Sequence, residues 1–268
     1  MEYIKEEVGM LKAENIQYRI GNKHIVSAIS AEFLPGEFNM ILGPNGSGKS
    51  SFLKIISGEI SGYSGTVLYN DKKLITQKKE ELAKYRAVMS QLPDLSFPLL
   101  VEEVVMMGRY PHFTFNPTKK DESICDEVME RMNLSSFKTR NYLTLSGGEK
   151  QRVHFARVLA QIWENTETGN RYLFLDEPLN SLDINYQQEF LQIAKSFARH
   201  NTVLIAVLHD INLAIQYADK LFFLKEGELV AHGTPKEILH ESLIQKVFDV
   251  STTVITNPVT ANPLVIFN

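Results

Sequence analysis

The chain has 268 residues, 44% hydrophobic and 22% charged, proportions of an ordinary globular protein with a sizeable core. A net charge of −4 argues against a surface that coats nucleic acid. The single cysteine, Cys125, excludes an intramolecular disulfide and a cysteine zinc cluster. No signal-peptide pattern opens the chain and the longest apolar run, Val203 to Leu208, is strand-sized, so a role at a membrane requires a partner.

In chain order, alternating segments at Leu11–Ile16 and Ile25–Ser30, joined through the turn signal Gly21-Asn22, predict antiparallel strands. Glu37–Leu42 reads as a buried strand and Ser51–Ile56 as the start of an amphipathic helix. A turn cluster at Ser57–Gly65 precedes strands at Thr66–Tyr69 and Arg86–Gln91, the latter stopping before Pro93. Helical periodicity follows in Val101–Met107 and in Asp121–Leu134, with Pro111 and Pro117 between them. Two apolar strands, Tyr172–Leu175 and Thr202–Leu208, flank a helical pattern at Gln187–Arg199, an order that reads as a parallel βαβ unit. The expected architecture is therefore α/β: one domain with a mostly parallel sheet built from residues 1–92 and 142–268, an antiparallel β segment at its N-terminus, and an inserted helical subdomain over 93–141. The segment Asn257–Pro263 reads as a loosely held tail.

Between the strand at 37–42 and the helix at 51–56 lies Gly43-Pro44-Asn45-Gly46-Ser47-Gly48-Lys49-Ser50, which satisfies G-x-x-x-x-G-K-[ST] in its required context. Its backbone amides and the positive helix end cradle a β-phosphate, Lys49 adds charge to the β- and γ-phosphates, and the Ser50 hydroxyl is placed to ligate Mg²⁺. Asp176 ends an apolar strand, where ligands collect in open α/β sheets. An acid there is costly unless it meets a cation, so it is assigned to Mg²⁺ through water. Glu177, pointing elsewhere, is the candidate general base. His209 ends the next strand; alone it would read as structural, but three converging strand ends favour catalysis. Gln91, at a further strand end, is a candidate for the metal or the attacking water. Ser146 and Glu149 stand at capping-box spacing, yet Gly147 and Gly148 in that first turn each cost about 1 kcal/mol against alanine. A bare backbone at a positive helix end suggests a second anion site.

Together these residues resemble the ATP-binding cassette family over nearly the whole chain. Gly43 to Ser50 match Walker A and Gln91 the Q-loop. Leu145 to Gln151 match the family signature, Leu173 to Glu177 Walker B with its catalytic glutamate, Ser181 to Asp183 the D-loop, and His209 the switch histidine. The resemblance implies ATP and Mg²⁺ as ligands. It also implies a homodimer in which each ATP lies between Walker A of one copy and Ser146, Gly147 and Gly148 of the other. One position departs: Ile20 stands where the family usually has an aromatic residue against adenine, with Tyr18 on the same strand parity.

Met107–His112, Ala156–Trp163 and Glu164–Asn170 are similar to the hemin-importing branch of the iron-chelate, cobalamin and heme importers. That likeness implies two membrane permease subunits, a periplasmic or surface hemin-binding protein, no nucleic acid, and a place on the cytoplasmic face of the inner membrane. His112, His232 and His240 read as surface or turn residues, because cargo passes through the permease. Residues 93–141 are the expected permease contact, with Glu102 and Arg109 expected to matter there. A nucleic-acid-acting cassette is disfavoured by the single cassette without a coiled coil, and a small-molecule kinase by the signature.

Overall fold

A computed structural model of the chain describes residues 9–90, 96–165, 169–180 and 182–268. Leu11–Ile20 (β1) and Lys23–Phe33 (β2) pair antiparallel across the Gly21-Asn22 turn, with register shifts that twist the ribbon. Phe38–Leu42 (β3) is buried at every residue and leads through a loop into Lys49–Ile56 (α1). Ser64–Tyr69 (β4) returns to pair with β1 and carries the short Lys72–Lys73 (β5), completing a four-stranded antiparallel sheet. One helical turn, Lys79–Leu82 (α2), precedes Arg86–Met89 (β6).

The chain then leaves the sheet for Val101–Met106 (α3), a 3₁₀ turn over Met107–His112, and Lys119–Arg131 (α4). α4 starts two residues before the expected Asp121, because Thr118 is its N-cap and exchanges hydrogen bonds with Asp121 in a capping box. It ends before the expected Leu134, and Asn133 adopts the left-handed conformation that closes helices. Gly147–Gln161 (α5) brings the chain back to Arg171–Asp176 (β7). Ile184–Ala198 (α6) crosses over to Thr202–Val207 (β8), which pairs parallel with β7 as the βαβ pattern requires.

Ile211–Tyr217 (α7) leads to the hairpin Lys220–Lys225 (β9) and Glu228–Gly233 (β10), turned through Glu226 and Gly227, both at positive φ. The second sheet runs β10-β9-β3-β8-β7-β6, parallel except for β10. Its strands alternate between two cores. Phe38, Met40, Leu42, Leu173, Leu175, Leu204 and Ala206 pack toward the long helices, α5 among them. Ile41, Tyr172, Phe174, Val203, Ile205 and Val207 pack toward α1 and the antiparallel sheet. Each such side chain contributes roughly 1.5–3 kcal/mol on burial, so a one-residue slip is heavily penalised.

Pro235–Ile238 (α8) and Glu241–Phe248 (α9) precede the last two strands, Thr252–Thr256 (β11) and Pro263–Phe267 (β12). The expected loose tail is therefore the turn of an antiparallel hairpin. Val265 on β12 is buried, and the backbone pairing of the hairpin gives the flanking residues the order that their turn-rich composition obscures.

Arg109, expected at a partner surface, is instead 1% exposed. Its guanidinium donates to Asp121 (2.9 Å), to the Ala160 carbonyl (2.8 Å) and to Glu164 (2.5 Å), tying the 3₁₀ turn to α4 and to the end of α5. An arginine satisfied this completely inside the protein is a structural clamp.

Candidate functional site

The loop after β3 is forced tight against its surroundings. A Cβ on Gly43 would lie 2.1 Å from the Leu224 carbonyl oxygen, and one on Gly48, at φ 94°, 2.4 Å from that of Ile25. Only glycine fits either position. Gly48 is the N-cap of α1, whose first turn carries no acid, so the positive helix end faces the loop unneutralised. Lys49 is 5% exposed and donates to the carbonyls of Gly43 (2.9 Å) and Pro44 (3.0 Å). Burial lowers its pKa, while Glu177 and Asp176 pull the other way.

Asp176 ends β7 and accepts a hydrogen bond from Ser50 at 2.9 Å. Burial pushes its carboxyl above the usual range, against the Ser50 bond and the nearby lysines. Glu177 has φ 51°, an uncommon conformation for a residue with a side chain, and its N–H donates to the Val207 carbonyl of β8. Its carboxylate meets His209, 2.7 Å from the ring Nε2, and Asn180 donates to the other oxygen at 3.0 Å. Burial alone would raise the Glu177 carboxyl; the bonds from His209 and Asn180 outweigh it and hold it below the usual range.

Lys49, Ser50, Asp176, Glu177 and His209 thus converge where β3, β7 and β8 end. Gln91 and Ser181 lie outside the described residues. Ser146 caps α5: it accepts from the Glu149 N–H and donates its own N–H to the Glu149 carboxylate at 2.7 Å. Ser146 and Gly147 are exposed, whereas α5 packs on α3, α4 and β6. The helices behind these two features, α1 after the loop and α5 after Ser146, consequently pack on opposite faces of the six-stranded sheet.

One contributor escapes motif reading, and another stands at the end of the signature stretch. Asn180 steadies Glu177, and Gln151 donates to the Pro178 carbonyl at 2.6 Å, linking α5 to the turn that carries Glu177. Gln151 ends the Leu145–Gln151 signature match, and its amide is buried among the apolar positions of α5. Ile20 is 60% exposed at the hairpin tip, while Tyr18 is partly buried against the inner core. Of the three histidines set aside above, His112 meets the Gln161 carbonyl, His232 stacks on Phe222 and His240 precedes α9. Among the described residues no group of three or more His, Cys, Asp or Glu side chains is arranged to hold a metal, and no helix is long and apolar enough to cross a membrane.

Loop, strand-end carboxylates and capped signature helix define a nucleotide-handling P-loop protein, and the family model described as ABC transporter matches residues 26–180. The chain belongs to the ABC transporter family. Over 257 residues, 96% of this chain and 94% of the other, it is 44% identical to the hemin import ATP-binding protein HmuV of Gloeobacter violaceus. It is 35% identical over 260 residues to the protein of that name in Escherichia coli O157:H7, covering 97% of this chain and 100% of the relative. An inward-facing metal-chelate type ABC transporter superposes with a TM-score of 0.81 at 21% identity, covering 97% of each chain, and shares the fold. The cbiO1 protein of Clostridium perfringens, part of the ABC transporter complex cbiONQ, matches 90% of this chain and 95% of its own at TM-score 0.75 and 28% identity.

Proposed function

We propose that this chain is the ATP-hydrolysing subunit of a bacterial hemin importer, acting as a homodimer on two membrane permease subunits at the cytoplasmic face of the inner membrane. The observation that carries the enzymatic part is the meeting of Ser50 with Asp176, and of Glu177 with His209, beside the Gly43–Ser50 loop. The cargo rests on relatives named for hemin import that align along almost the full chain.

In this reading the loop amides and Lys49 bind the β- and γ-phosphates. The donor set suits Mg²⁺: Ser50 and Asp176 offer hard oxygens, and in the same loop the buried Ser47 hydroxyl has no protein partner among the described residues. Ser50, Asp176 and Gln91 would hold the ion, which when bound neutralises phosphate charge. Glu177 orients the attacking water and takes its proton, and His209 keeps that carboxylate aimed and ionised. A second copy supplies Ser146, Gly147 and Gly148, which suits the exposure of Ser146 and Gly147 at the start of α5. ATP then favours the closed pair, and hydrolysis releases it.

Residues 93–141 are the permease-docking subdomain of the single domain. An open groove of about 560 Å³, lined by Leu99, Glu102, Met107, Tyr110, Phe115 and Lys138 among others, offers the surface. A hemin-binding protein outside the membrane would deliver cargo. Reconstitution with the permease tests the reading: ATP-dependent hemin uptake supports it, and uptake of iron-siderophore or cobalamin without hemin reassigns the cargo.

A further inference from the structure

The C-terminal hairpin is hydrogen-bonded to the segment that carries His209 through the side chain of Asn212. Asn212, three residues after His209, donates from Nδ2 to the Val265 carbonyl and accepts from the Val265 N–H at Oδ1, both at 2.9 Å. Its amide therefore pairs with β12 as a neighbouring strand would, using both backbone groups of one residue. Between β8 and α7 only Leu208, His209 and Asp210 intervene. The strand side is held by the Leu208 N–H on the Ile41 carbonyl, and the helix side by Asp210, which accepts from the Leu213 N–H.

α7 has seven residues, too few to be stable by itself. Its apolar residues bury against the sheet and α6, but such contacts are non-directional and tolerate small slides along the helix axis. The two Asn212 bonds are directional and meet the helix in its first turn, where a slide would carry His209 with it. β11 is anchored in turn, through the Val254 N–H on Glu241 of α9.

We propose that Asn212 is a positioning residue, through which the hairpin of residues 252–267 holds His209 against Glu177. The inference rests on the ATPase reading above. Asn212→Ala is expected to lower kcat on the order of tenfold, since small displacements of catalytic groups are costly, while KM for ATP and nucleotide affinity change by less than about twofold. Val265→Pro removes the partner N–H at a strand edge and should reproduce the loss, with no further loss when combined with Asn212→Ala. In a His209→Ala background Asn212→Ala should have no effect on kcat.

A second readout is independent of turnover: the His209 ring resonances in NMR spectra should move in Asn212→Ala in the direction that Glu177→Ala moves them. An unchanged kcat with unchanged His209 resonances overturns the proposal, as does a loss that persists in full when His209 is already absent. An intact chain that hydrolyses no ATP refutes the functional reading instead, and the resonances still decide the role of Asn212.

Discussion

Ser50 and Asp176, 126 positions apart in the chain, meet at 2.9 Å between a hydroxyl and a carboxylate oxygen. Folding brings them together against a cost, because burial raises the Asp176 carboxyl. A carboxyl raised in the folded state loses stability as it ionises, so the cost is absent below its usual value of 3.8 and complete once pH has passed the folded value. Asp176→Asn keeps an acceptor for Ser50 and removes that charge. It should raise the melting temperature at pH 7 by a few degrees while abolishing Mg²⁺-dependent hydrolysis. Calorimetry with a Mg²⁺ titration of ATPase activity checks both, and a lower melting temperature would contradict the first.

Glu177→Gln preserves the shape of the side chain and removes its basicity. Turnover should fall at least about a hundredfold with nucleotide binding kept, and ATP should then trap the closed pair. Size-exclusion chromatography of this variant is expected to show an ATP-dependent dimer, which Gly147→Arg in the same background abolishes. Undiminished hydrolysis by Glu177→Gln would reassign the base.

Arg109→Ala strips the buried Asp121 of its cation and should cost about 3 kcal/mol in chemical denaturation at pH 7. Burial would push the Asp121 carboxyl up, but the bonds from Thr118 and Arg109 hold it below its usual 3.8. A depressed carboxyl stabilises the fold above 3.8, and that contribution disappears as pH falls through the folded value. The gap between wild type and variant should therefore narrow in acid. A gap independent of pH would mean that the clamp works through packing of the arginine stem alone.

Charge reversal at Glu102, in the groove beside Lys138 (3.7 Å), tests the docking surface without disturbing the core. Glu102→Lys should depress hemin uptake by the reconstituted transporter several-fold, while the free subunit hydrolyses ATP at its normal rate, because exposed pairs contribute under about 1 kcal/mol to stability. Equal losses of uptake and free-subunit ATPase would exclude a docking role.

The parts most legible from the residues alone are those where one local pattern has one physical solution. Gly43 to Ser50 sit between a strand and a helix, and β7 and β8 are apolar at successive positions because both faces of the sheet are covered. The hairpin β9–β10 and the C-terminal strands were not expected. Their short alternating segments are stabilised by tertiary contacts, such as Asn212 on Val265, that no local window contains. Arg109 misleads for a related reason: an arginine in a turn reads as exposed until its three acceptors arrive from α4 and from the end of α5 and the residues after it. Asn180 remains silent because a single amide matters only once its neighbours are known.

The separation of α1, behind the phosphate loop, from the signature helix α5 by the six-stranded sheet has a genetic corollary. In the proposed homodimer each copy lends half of two composite sites, so a copy with one lesion spoils one of the two sites of any pair it joins. Only pairs drawn wholly from sound copies stay intact. Co-expressing a Gly43 or Gly147 lesion with the wild-type gene should therefore suppress uptake more steeply than in proportion to dose, the hallmark of a dominant-negative allele.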